Sequence, residues 1–138
     1  MKHDPNLHEG GCACGAVRYR ISGPIDSVAH CHCNDCRKAS GGTLMTWAMV
    51  DKDAFTYSQG TPALRQSSEH SVREFCPDCG TQLQFRAIEE SQRVDVALGS
   101  LDCAPYHPAD RHIWTQSRVS WLKLDAQLPE YPRETGST

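Results

Sequence analysis

Cys76-Pro77-Asp78-Cys79-Gly80 sets two thiols around a tight turn and follows the second with glycine. That is the pattern of a metal knuckle. Gly80 can take positive φ, which turns nearby backbone N–H groups toward sulfur. A second pair, Cys12-Ala13-Cys14, stands among Gly10, Gly11 and Gly15. Those glycines permit the turn or bulge that aims both thiols at one ion. Joined, the two pairs give four thiolates, the number that a closed structural zinc site takes. Such a site ties the N-terminal region to the middle of the chain, so metal binding is expected to be coupled to folding.

Between the pairs lies Cys31-His32-Cys33-Asn34-Asp35-Cys36. Three thiolates at this spacing can converge on one ion and leave its fourth position vacant, as catalytic zinc requires. The same spacing allows a closed site in which His30, His32, His107 or His112 fills that position. Spacing alone leaves both arrangements open. Arg37 and Lys38 follow the third thiol. They are read either as cations that moderate a thiolate centre or as solvated surface charges.

Away from the thiols the hydrophobic pattern is mostly of period two. Val17, Tyr19 and Ile21 alternate with Arg18 and Arg20, as on a half-buried strand. The stretch 43–50 reads as a central strand. Further strands are expected over 55–57, 71–75, 82–88 and 93–98, punctuated by Gly23-Pro24, Gly41-Gly42, Gly60 and Gly80. A short helical turn is expected over 34–40. The fold class is therefore mostly β: a two-sheet domain pinned by metal.

The chain has 138 residues, the length of one domain. Its net charge is -3 and its pI about 6.1, so no excess of cations favours nucleic acid. No stretch reaches the roughly 18 consecutive apolar residues of a membrane span. Residues 1–10 are polar and carry no apolar segment, so a cytoplasmic location is expected. Thiols stay reduced there, and clustered cysteines are read as ligands rather than disulfides.

Three stretches together resemble the glutathione-dependent formaldehyde-activating enzymes and the related centromere protein V group. They are Gly11-Cys12-Ala13-Cys14-Gly15, Cys31-His32-Cys33-Asn34-Asp35-Cys36-Arg37-Lys38 and Phe75-Cys76-Pro77-Asp78-Cys79-Gly80-Thr81. A weaker likeness runs from His112-Ile113-Trp114 through Ser117 to Trp121. The resemblance implies an Mss4-like β fold and two zinc ions. Cys12, Cys14, Cys76 and Cys79 would hold the structural ion, and Cys31, Cys33 and Cys36 the catalytic one. It implies a carbon–sulfur lyase that handles glutathione, or a related thiol, with formaldehyde or another small aldehyde. The domain would span 10–125, with an N-terminal extension over 1–9 and a loose tail over 126–138. The rival class is a non-catalytic zinc domain that binds a protein or a nucleic acid. A basic stripe would favour it, and the net charge does not.

Other residues carry less. Cys103 belongs to no cluster and is expected to be a buried, inert thiol. Trp47, Trp114 and Trp121 are candidates to line a pocket, with plain core as the commoner role. His112 is weighed as a proton carrier against a hydrogen-bonded structural histidine. Asp51, Asp53 and the Glu89-Glu90 pair receive no catalytic role.

Overall fold

Tyr19 and Ile21 are fully buried and Arg20 is exposed, so the alternation read in the sequence does place one face of this strand inside. In the computed structural model, which describes residues 4–89, 91–104 and 107–134, that strand is the middle of a small antiparallel sheet. The sheet comprises β1 (His8–Gly11), β2 (Arg18–Ile21) and a third strand, Phe55–Gln59. β1 begins inside the stretch 1–9 that was expected to be an N-terminal extension. Gly10 is required there: a Cβ would lie 2.4 Å from the Tyr19 hydroxyl and 2.5 Å from the Ser100 carbonyl.

The larger sheet has seven strands. In chain order they are β3 (Ser27–Cys31), β4 (Met45–Asp51), β6 (Ala63–Gln66), β7 (Ser71–Phe75), β8 (Gln82–Ala87), β9 (Arg93–Ala97) and β10 (Arg111–Ile113), with β5 the Phe55–Gln59 strand above. Their spatial order is β10-β3-β4-β9-β8-β7-β6. All neighbours are antiparallel except β10, which runs parallel to β3. β4 is internal to the sheet, as its apolar run predicts. The one described α-helix, α1 (Asn34–Ser40), occupies the stretch the sequence suggested.

The two faces of the large sheet have different jobs. Val28, Ala48, Val50, Leu83, Val94 and Val96 pack with Val17 and with Tyr19 and Ile21 of the small sheet to form the main core. Positions one residue away turn to the opposite face. There Ala29, Cys31, Trp47 and Ala97 join Cys36 and Ile113 in a second buried cluster, with Phe85, Trp114 and Tyr131 packed against it. That second face carries the site.

The described end of the chain lies along β10. His112 donates to Pro129 and Tyr131 donates back to the His112 carbonyl, at 2.9 Å each. Trp114 donates to Arg133, and its indole N–H to Glu134. The sequence suggested a loose tail over 126–138, whereas 129–134 are held against the sheet edge. Among the described residues no helix is long and apolar enough to cross a membrane.

Candidate metal centres and the adjoining cavity

The glycines beside the paired thiols do what their sequence implied. Gly15 and Gly80 both adopt φ of +81°. Backbone N–H groups converge on sulfur: Val17 donates to Cys12 Sγ at 3.2 Å, and Asp78 and Cys79 both donate to Cys76 Sγ at 3.4 Å. Thr81 joins the two knuckles. Its hydroxyl accepts from the Ala13 N–H at 3.0 Å and lies 3.2 Å from Cys79 Sγ. The Thr81 hydroxyl holds the Cys79 thiol down to about 5.

Cys12, Cys14, Cys76 and Cys79 bring their sulfurs within 4.8 Å of one another. Sulfurs about 2.3 Å from one tetrahedral ion stand ~3.8 Å apart. Cys12 and Cys14 are separated by 3.6 Å, and Cys14 and Cys76 by 3.8 Å. All eight cysteines are free thiols. The donor set and its spacing therefore fit zinc.

Cys31 ends β3, Cys36 lies in α1, and Cys33 caps that helix. The Cys33 sulfur takes the N-cap role, accepting from the Cys36 N–H at 3.2 Å. Gly41 closes the helix in the left-handed conformation, with its N–H on the Arg37 carbonyl. The three sulfurs lie within 4.8 Å of one another, with Cys31 and Cys36 3.5 Å apart, spacing that again suits one ion. Hydrogen bonds from Cys31 and Cys33 pull the Cys36 thiol well below its usual range, against burial, and Trp47 and Arg73 add to the effect. The same contacts with Cys33 and Cys36 push Cys31 up.

None of the four candidate histidines completes this set; among the described residues it holds three ligands. His32 turns away from the thiols and shares a 2.9 Å hydrogen bond with His112. His30 stacks on His112 with ring centroids 4.9 Å apart and bonds Thr46 at 2.7 Å. His107 packs edge-on against His8. Burial, with the neighbouring imidazoles, lowers His32 to about 4, so this buried group is neutral at physiological pH. His112 is thus a buried member of a histidine cluster behind the site.

In front of the thiols lies a cavity of about 530 Å³. Trp47, Phe85 and Trp114 supply aromatic wall, and Cys31, Cys33 and Cys36 sit together at its lining. Trp114 is held at φ 58°, a rare conformation for a residue with a side chain. Of the three tryptophans proposed as lining, Trp121 is not there; it is 71% exposed. Cys103 is half-buried rather than buried and belongs to neither thiol group. Asp51 accepts from the Asp53 N–H and from Gln92, a turn-fixing role; Glu90 lies outside the described residues.

Two charged residues of the cavity escaped the sequence reading. Arg73 is only 3% exposed. Its guanidinium donates toward Cys36 Sγ at 3.7 Å and lies over Phe85, 4.8 Å from the ring centre. It, rather than Arg37 or Lys38, is the cation against the thiols. Asp95 lines the same cavity, and burial pushes its carboxyl up to about 7, with Glu134 and Cys36 adding to the shift. The signal was a charge inside a strand, between Val94 and Val96 for Asp95 and between Val72 and Glu74 for Arg73. It reads as a solvent face unless that face is known to be covered.

The family model for glutathione-dependent formaldehyde-activating enzymes matches residues 7–117. A protein of Halomonas elongata named as a putative glutathione-dependent formaldehyde-activating enzyme is 26% identical, over 94% of this chain and 91% of its own length. An uncharacterized lyase of Schizosaccharomyces pombe is 28% identical over 56% of each chain. A crystal structure of a Rhodobacter sphaeroides protein shares the fold with a TM-score of 0.59 at 16% identity, covering 88% of this chain and 98% of the other.

Proposed function

The chain belongs to the glutathione-dependent formaldehyde-activating enzyme family, and from that premise we propose that it is a zinc-dependent carbon–sulfur lyase joining a thiol such as glutathione to a small aldehyde. The observation that carries the reading is the three-thiol group at the wall of a cavity, with no fourth protein ligand among the described residues. Cys12, Cys14, Cys76 and Cys79 would hold a structural ion, and Cys31, Cys33 and Cys36 the catalytic one. Zinc at the second site supplies a Lewis acid that lowers the pKa of an incoming thiol.

The remaining work falls to the chain. In the forward direction a carbon–sulfur bond forms, the carbonyl π pair moves to oxygen, and that oxygen takes a proton. The thiol proton leaves sulfur in the same turnover, so the reaction needs a group that accepts one proton and gives one. Asp95 faces the cavity with a carboxyl near neutrality, which suits that exchange. Arg73 opposes the negative charge of the three thiolates from the side of Cys36. Trp47, Phe85 and Trp114 exclude water and hold the reactants together.

The test is exchange NMR of glutathione, formaldehyde and their hydroxymethyl adduct, with and without zinc-loaded protein. Faster exchange with protein, lost in Cys33→Ser, is the expected result. A cobalt-loaded protein should change its visible spectrum on adding glutathione. A spectrum that responds without faster exchange would keep thiol binding and reject formaldehyde as the partner. No response in either would favour a non-catalytic zinc domain.

A further inference from the structure

Arg65 on β6 stands directly opposite Arg73 on β7. Like charges at facing positions of antiparallel strands repel and destabilise the pair. Lys38 of α1 reaches the same place, and the three line one cleft of about 210 Å³ with Ser67 and Asp35. One carboxylate thus faces three cations. None of the three cations has a carboxylate partner in an ion pair among the described residues, and Arg73 meets only the Cys36 sulfur with one of its terminal nitrogens. Arg73 adds an independent sign: its Nη1 is buried without a hydrogen-bond partner. An unsatisfied, buried charged donor is costly unless a ligand completes it.

The cleft is not remote from the chemistry. Asp35 and Arg73 line both it and the larger cavity, and the other terminal nitrogen of Arg73 is 3.7 Å from Cys36 Sγ. A ligand bridging the two must therefore carry a sulfur and an anion only a few ångströms apart. A cysteinyl-glycine end meets that condition, since its terminal carboxylate belongs to the residue whose Cα lies about 3.8 Å beyond the Cα bearing the thiol. Arginine is the better partner for such a group because its fork matches both carboxylate oxygens.

We infer that the cleft between α1 and the β6–β7 pair is a carboxylate subsite, in which Lys38, Arg65 and Arg73 hold the C-terminal glycine carboxylate of a glutathione-like thiol. The inference rests on the lyase reading for the identity of the thiol. It explains why two arginines tolerate facing each other: the bound carboxylate separates and neutralises them. It also fixes the direction of the substrate, with the thiol toward the three cysteines and the γ-glutamyl arm left to the larger cavity.

The test uses full-length, zinc-loaded protein and S-methylglutathione, which has the carboxylates but no free thiol. Calorimetry compares it with its glycine monoethyl ester. The free acid should bind about tenfold more tightly than the ester, the scale of one charge-assisted hydrogen-bonded pair. Arg65→Gln and Lys38→Gln, both at exposed positions, should each shrink that preference toward unity. Added salt should shrink it as well. An equal affinity for acid and ester, or a preference untouched by both substitutions, would overturn the subsite. Should that happen while glutathione exchange is still accelerated, the lyase reading stands without the subsite. The predicted pattern in protein that fails to accelerate exchange keeps the subsite and rejects the lyase. Failure of both ligands to bind overturns the subsite as well.

Discussion

Asp95 shows how much one residue's meaning depends on what covers it. It sits between Val94 and Val96, whose side chains enter the main core, so its own points to the opposite face. There burial raises its carboxyl from 3.8 to about 7, with Glu134 and Cys36 adding and Arg111 opposing. The folded state therefore holds a proton that the unfolded state releases near pH 4. Stability from this group is full below that value and is lost as pH rises toward about 7. Metal binding has the opposite sign, because thiol ligands bind better as pH rises. Asp95→Asn should isolate the first effect. Thermal melts of metal-loaded protein at about pH 6 and about pH 8 should show the variant gaining on wild type at the higher value. The same substitution should slow adduct exchange, since an amide cannot pass the proton. Unchanged exchange would remove Asp95 from the chemistry.

At the scale of elements, the described end of the chain is built against the candidate site. Residues 129–134 cover the outer edge of β10 and make several backbone hydrogen bonds to 112–116. Tyr131 packs against the cluster that contains Cys31 and Cys36, and Glu134 reaches the cavity lining. Removing 129–138 should expose that edge and release Trp114 from its left-handed conformation. The loss should be about 3 kcal/mol, from a handful of hydrogen bonds at their usual net value. Denaturant unfolding measures it, and amide exchange should speed up at 111–114 before the rest of the sheet. Equal protection with and without the tail would show that the segment is passive. This element was illegible in the sequence for a physical reason: Tyr131 lies among prolines and charges, and its partner edge is three residues long. Strands of that length are specified by their neighbours rather than by their own composition. β1 and β6, four-residue strands at sheet edges, escaped in the same way, and β3 escaped because Ser27–Cys31 carries little polar–apolar alternation, whereas β2, β4, β7, β8 and β9 carry enough alternation or apolar length to be read directly. The thiol groups were the most legible feature, because ligand chemistry restricts residue type and spacing at once.

At the scale of the molecule, the two thiol groups differ in what they join. Cys12 and Cys14 lie in the connection between β1 and β2 of the small sheet. Cys76 and Cys79 lie between β7 and β8 of the large one. An ion shared among them would clip one sheet to the other at the border of the main core, which includes Cys12 and Cys76. Cys31, Cys33 and Cys36 all lie within one short segment, so an ion there closes only a small loop, and loop-closure gain grows with separation. Protein prepared without chelators should carry two zinc ions by elemental analysis. Cys79→Ser should lose one of them and yield insoluble or unfolded chain, because binding at the clip is folding free energy. Cys36→Ser should also lose one but leave a folded protein that melts cooperatively. Its defects should be confined to thiol binding and exchange. Mild chelation should follow the same order, with the three-thiol ion removed first and secondary structure by circular dichroism retained until the second leaves. If both substitutions collapse the fold alike, the three-thiol group is a second clip, and the open position inferred for it has no catalytic consequence.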